Sequence, residues 1–125
     1  MPQTEIVIFK DDDGSVPLLD WLDVQSDKVQ NDMEARIELL AEKGNQLRRP
    51  QCDSLRDGIY ELRKERLNIN YRILYAFCGK NAVLLSHGCT KEDKVPSREI
   101  DKAISNLNKY RQNPDAHTYY EETGQ

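Results

Sequence analysis

A glutamate, two arginines and a histidine stand where β-strand alternation can gather them. Glu61 and Arg63 are two apart in the segment IYELRK, residues 59–64, so as a strand they share one face. Arg72 lies in the middle of the next apolar run, 69–78, and His87 closes a third, 82–87. Lys91 and Lys94 follow in a polar stretch ahead of Pro96. A guanidinium donates two parallel hydrogen bonds to a phosphate. A carboxylate or an imidazole can take and give a proton, and fixed cations stabilise charge that develops on a phosphoryl group. The set therefore suits holding a phosphodiester and moving protons around it. Each member also has a plainer use. Glu61 can form a cross-strand salt bridge with either arginine, His87 can be an ordinary polar strand end, and the lysines can be solvated loop residues. Residue type and spacing leave both uses open.

Positioning such a set requires a sheet and a core behind it. Residues 4–9 form a β-branched run that predicts a strand, and 11–14 a turn. Ser15 can cap a short helix with Pro17 in its first turn and Leu18, Trp21 and Leu22 on one face. Asp27, with Gln30 three residues on, can cap a longer helix. Val29, Met33, Ile37, Leu40 and Ala41 give that helix an apolar stripe, and Gly44 ends it. Asp32, Glu34, Glu38 and Glu42 fall mostly off the stripe and predict a solvated face. Residues 45–54 are polar and predict a connection. Strands are expected over 59–64, 69–78 and 82–87, joined by a hairpin tip at 65–68 and a turn at 79–81. Within the long strand Tyr71, Ile73, Tyr75 and Phe77 alternate with Arg72, Leu74 and Ala76, so the aromatic set faces the core and Arg72 points away from the helices. Tyr60 can pack or stack on a base. Pro96 opens a last helix whose stripe is Ile100, Ala103, Ile104, Leu107 and Tyr110, and Asn113-Pro114 ends it. The order is an N-terminal strand, two helices, a three-stranded antiparallel meander and a C-terminal helix. That is an α+β sandwich with helices mainly on one sheet face. One domain is expected over 1–112, with a polar, mobile tail at 113–125.

Composition bounds the alternatives. A chain of 125 residues is one domain with a modest core. Its mean hydropathy of −0.80 is low, but the apolar residues are clustered and periodic, which excludes disorder except at the ends. Cys52, Cys78 and Cys89 match no metal spacing, and no apolar leader or membrane-length run appears, so reduced thiols in a cytoplasmic protein are expected. No phosphate-cradling glycine motif, Ser/His/Asp set or metal-binding constellation is present, and neither metal nor cofactor is expected. The net charge of −4 hides an asymmetry: residues 1–45 carry 11 acids and 4 bases, residues 46–112 carry 8 acids and 14 bases. A polyanion or an acidic partner on the basic half would explain that balance. Basic strands meeting acidic helices within one fold would explain it equally well.

The runs LRDGIYELR and YRILYAF, the His87-Gly88 pair with Lys91 after it, and PSREIDKA with Tyr110 resemble the RelE/ParE superfamily of toxins, in its HigB-like, phage-derived branch. The resemblance covers residues 55–110 in detail and the front elements in order only. It implies a RelE-like fold and the toxin of a type II toxin–antitoxin system. Such a toxin is a ribosome-dependent endoribonuclease that cleaves mRNA in the ribosomal A site by metal-independent attack of the 2′-hydroxyl. Carried over by position, Glu61 or His87 would transfer protons, while Arg63 and Arg72 would clamp the phosphate. Lys64, Arg66, Lys91 and Lys94 would bind the RNA. A cognate antitoxin, often of helix-turn-helix type, is the implied partner besides ribosome and mRNA; a homodimer and a toxin–antitoxin hetero-oligomer both stay open. The same superfamily includes ParE-like toxins that inhibit DNA gyrase by contact, and an inactive prophage remnant would keep only antitoxin binding. The pair of proton-transfer candidates points to the nuclease. The chain departs from the branch at Cys89, where an aromatic is usual, at Glu92, where a second lysine is usual, and at Val95 in place of threonine.

Overall fold

The structure is a computed structural model and describes residues 3–91 and 94–121. Strand β1 (Glu5–Ile8) leads through a turn into helix α1 (Pro17–Asp23) and helix α2 (Asp27–Lys43). A short 3-10 turn (Gly44–Gln46) precedes four strands: β2 (Cys52–Arg56), β3 (Ile59–Arg66), β4 (Ile69–Gly79) and β5 (Ala82–Lys91). Helix α3 (Ser97–Gln112) follows. The α+β architecture is the one expected, with one strand more. The five strands lie in the order β1-β5-β4-β3-β2. β1 runs parallel to β5, and the other neighbours are antiparallel.

The added strand, β2, takes its first residues, 52–54, from the expected connection and its last, Leu55 and Arg56, from the stretch between that connection and the strand at 59–64. Asp57 and Gly58 both have positive φ, 54° and 82°, which suits a tight hairpin turn. That turn folds Cys52, Asp53 and Ser54 back onto Leu62, Glu61 and Tyr60. The meander is therefore four-stranded. β5 also runs past His87 to Lys91, so Lys91 ends a strand rather than lying in a loop.

Two helices cover one face of the sheet, as expected, and the third covers the other. α1 and α2 set Leu18, Met33 and Leu40 against Leu62, Ile73, Tyr75, Val83 and Leu85. α3 sets Ile100, Ala103 and Leu107 against Ile59, Leu74, Ala76 and Leu84 on the other side. The two sets alternate along β4, as the pleat requires. Each buried leucine-sized side chain contributes about 1.5–3 kcal/mol. Arg72 does point away from Tyr71 and Ile73, as expected. That face, however, carries α3, so the expectation that it lies away from all helices is corrected.

Two caps differ from the sequence reading: α1 begins after Val16 with no side-chain cap, so Ser15 does not cap it. α2 is capped by Ser26, whose Oγ accepts from the Val29 amide at 3.2 Å, not by Asp27. Gln30 instead donates to the Leu22 carbonyl at 2.8 Å and ties α2 to α1. Asp32 is not simply solvated; it pairs with Arg66 of β3 at 2.8 Å. After α3 the chain returns to the sheet. The amide of Tyr119 donates to the Ile8 carbonyl at 2.8 Å, and the His117 ring stacks on Phe9 with centroids 5.4 Å apart. This contact covers the end of β1, an otherwise open sheet edge. Among the described residues no helix is long and apolar enough to cross a membrane.

Candidate functional site

The register of β3 on β4 places Arg63 directly opposite Arg72 and Glu61 opposite Leu74. Glu61, Arg63 and Arg72 thus share the α3 side of the sheet. Two guanidiniums facing each other repel unless an anion sits between them. Glu61 is that anion: Arg72 Nε donates to its Oε1 at 2.5 Å, and Arg63 Nη1 stands 4.0 Å from its Oε2. Glu61 is 5% exposed and Arg72 3%, whereas the Arg63 side chain is 31% exposed. The set is graded from a buried pair to an accessible cation.

This set lines an open pocket of about 390 Å³ with Asp53, Asn70 and Lys94. Asp53 comes from β2, where it faces Glu61 across the strand pair. The sequence reading missed Asp53 because β2 was missed. Asn70 is the second residue of the strand that carries Arg72, and the sequence marks it only as a strand position. Arg63 and Asn70 also line a second pocket on the α2 side, with Arg36 and Lys64. The two pockets share Arg63 and Asn70 and adjoin beside the stretch of β3 that β2 leaves uncovered and that pairs with β4 on its other side. Arg36, whose Nε donates to the Arg63 carbonyl at 2.9 Å, was missed because it lies on a helix read as an acidic, solvated face. Cations from three elements therefore border one groove around the free part of β3, a shape suited to a phosphate backbone.

The expected residues are not all brought together. Glu61, Arg63, Arg72 and Lys94 are. Lys64 lies on the opposite sheet face in the adjoining pocket. Arg66 lies near the hairpin tip, engaged by Asp32. The backbone of Lys91 ends β5, while its side chain, like Glu92, lies outside the described residues. His87 is turned elsewhere. Its β5 position is diagonal to Arg72, yet Arg72 reaches towards β3 and His87 reaches towards α3.

A one-residue bulge explains the orientation of His87. Leu74 pairs with His87 and Tyr75 with Leu85, which leaves Ser86 as the extra residue. Ser86 and His87 both turn to α3. Asn106 Nδ2 donates to Ser86 Oγ at 2.9 Å, and Ser86 Oγ lies 2.8 Å from His87 Nδ1. His87 Nε2 lies 2.9 Å from Glu99 Oε1. The chain of bonds is satisfied when Ser86 donates to Nδ1 and the imidazole, neutral, donates from Nε2 to Glu99. Burial pushes the His87 pKa below its usual value, and the Glu99 carboxylate opposes that only in part. His87 and Glu99 border a separate pocket between α1 and α3, together with Trp21 and Gly88. A Cβ on Gly88 would run into Trp21 Cδ2 and Cε3, so the indole rests flat on this glycine. Trp21 Nε1 donates to Thr90 Oγ1 at 3.0 Å.

Among the described residues no group of three or more His, Cys, Asp or Glu side chains is placed to hold a metal ion. No buried side-chain nitrogen or oxygen among them lacks a hydrogen-bond partner.

An α+β chain of this strand order, with a cationic site on its meander, is a small protein of RelE-like type. Residues 20–108 match the family described as Phage derived protein Gp49-like, and the chain belongs to that family. It is a phage-derived, RelE/HigB-like toxin family. No curated protein matches the chain.

Proposed function

We propose that this chain is the toxin of a type II toxin–antitoxin pair and acts as a ribosome-dependent endoribonuclease on mRNA. Family membership supports the toxin. One observation carries the chemistry: the Glu61 carboxylate is held between Arg63 and Arg72 beside an open cationic groove. A phosphodiester entering the groove is a second anion for the same guanidiniums. Exposed Lys94 and half-buried Arg63 meet it first. As Arg63 and Arg72 turn to the phosphate, the Glu61 carboxylate is released from them and accepts the 2′-hydroxyl proton as general base. The 2′-oxygen then attacks phosphorus, the bond to the 5′-oxygen breaks, and the leaving oxygen takes a proton from solvent while Glu61 returns its own to solvent. The arginines stabilise the charge that builds on the phosphoryl oxygens. Asp53, across from Glu61, is a second carboxylate within the pocket. His87 holds β5 to α3 in this reading and stays out of the proton transfers.

Expression of the chain in bacteria, with mapping of RNA ends in translated transcripts, tests the proposal. Growth arrest with cuts inside coding regions supports it. Arrest with intact mRNA and trapped gyrase–DNA complexes assigns the ParE-like activity instead.

A further inference from the structure

The β3–β4 hairpin turns on Leu67 and Asn68, whose φ angles are 52° and 67°. Two successive positive φ values mark the tight hairpin turn that Asn and Gly accept readily. Leucine does not, because its Cβ crowds the following carbonyl oxygen in this conformation. Burial offers no compensation, for Leu67 is 88% exposed. A leucine here strains the turn and presents an apolar side chain to water, with no gain to the fold. Strain of this kind persists where something outside the fold uses it. The tip is also anchored: Arg66, its neighbour, bonds Asp32 of α2 at 2.8 Å. Behind it three cations, Arg36, Lys64 and Arg63, line the pocket on the α2 side beside a single acid, Glu65.

We propose that Leu67 is an RNA contact, an apolar tip that packs against an unstacked base of a strand whose phosphates follow Arg36, Lys64 and Arg63. The inference rests on the RNA-cleaving reading above. Single-stranded RNA offers flat apolar base faces at regular intervals along a polyanion. Apolar wedges of leucine size are used against base steps elsewhere in nucleic-acid recognition. The cations behind the tip match that polyanion better than they match an apolar groove on a protein.

The test is Leu67→Asn, which places a residue suited to positive φ at the same position. Its melting temperature should rise by a few degrees. Its affinity for a labelled single-stranded RNA of about twelve nucleotides should fall roughly fivefold or more. The salt dependence of binding should stay as in the wild type, since no phosphate contact is removed. Arg63→Gln serves as the comparison and should weaken binding while flattening the salt dependence. A Leu67→Asn protein that melts higher and binds RNA as the wild type does, beside a weak Arg63→Gln, overturns the inference and leaves the cleavage reading standing. A Leu67→Asn protein that melts no higher overturns the strain argument and the inference with it. Wild-type protein that binds no RNA, neither the free strand nor mRNA on the ribosome, overturns the reading itself.

Discussion

Arg72 Nε donates to Glu61 Oε1 across two neighbouring strands, and both side chains are buried. A buried pair of this kind stabilises little by its formation, but breaking it leaves an uncompensated charge. Arg72→Met alone should therefore cost about 3–5 kcal/mol in chemical denaturation. The double change Glu61→Gln with Arg72→Met removes both charges, so most of that stability should return. Cleavage by the folded double variant should fall on the order of a hundredfold or more, as expected when cations that stabilise the transition state are lost. A double variant that folds and still cleaves would remove both residues from the mechanism and leave Arg63 and Lys94 with Asp53.

Stability should depend on pH through His87. Burial holds its pKa below the usual value, so between that value and about 6.5 the unfolded chain binds a proton that the folded chain does not. Stability due to a neutral His87 is thus present at higher pH and lost as pH falls below about 6.5. Urea midpoints of wild type and His87→Gln, followed from about pH 7.5 to 5, should converge towards the acid end. Parallel curves would show that His87 titrates alike in both states.

Gly88 should resist any side chain. Gly88→Ala drives a methyl group into the Trp21 ring and should cost about 1–3 kcal/mol, the usual scale of overpacking. Trp21 is the single tryptophan of the chain, so its fluorescence reports the displacement directly. Trp21→Leu should recover part of the loss in the Gly88→Ala background. An unchanged emission spectrum with unchanged stability would contradict the stacked geometry.

The antitoxin implied by the family is proposed to cover the groove bordered by Arg36, Arg63, Lys64 and Lys94. Its affinity should weaken as salt rises, because exposed charge pairs are screened within about 10 Å at 0.1 M salt. Charge reversal at Lys94 should weaken the complex. A salt-insensitive complex docked on α1 and α2 would refute the charge argument and leave the toxin assignment in place.

Much of this arrangement is legible in the sequence, for identifiable reasons. The alternation of Tyr71, Ile73, Tyr75 and Phe77 against Arg72, Leu74 and Ala76 places Arg72 on the face opposite the aromatic set. The two-residue spacing places Glu61 with Arg63. The position of α3 is less accessible, because its apolar stripe does not say which face it covers. The clue is Leu74 and Ala76, a second apolar row that needs its own cover. β2 escapes because Cys52-Asp-Ser-Leu-Arg has no β-branched residue and follows a polar connection. Its signal is Asp57-Gly58, a hairpin turn that requires a strand on each side. The separation of His87 from Arg72 is not legible at all. It depends on their different partners, Glu61 in β3 for Arg72 and Glu99 in α3 for His87, and the bulge at Ser86 beside His87 is unmarked in the run Leu-Leu-Ser-His-Gly.

The most direct test is sequencing of RNA 5′ ends in bacteria that express the wild type, Arg63→Gln, or the Glu61→Gln and Arg72→Met double variant. The proposed function predicts new ends inside translated coding regions with the wild type, sharply fewer with Arg63→Gln and background levels with the double variant, all three proteins being folded. Wild-type growth arrest with no new RNA ends would contradict it.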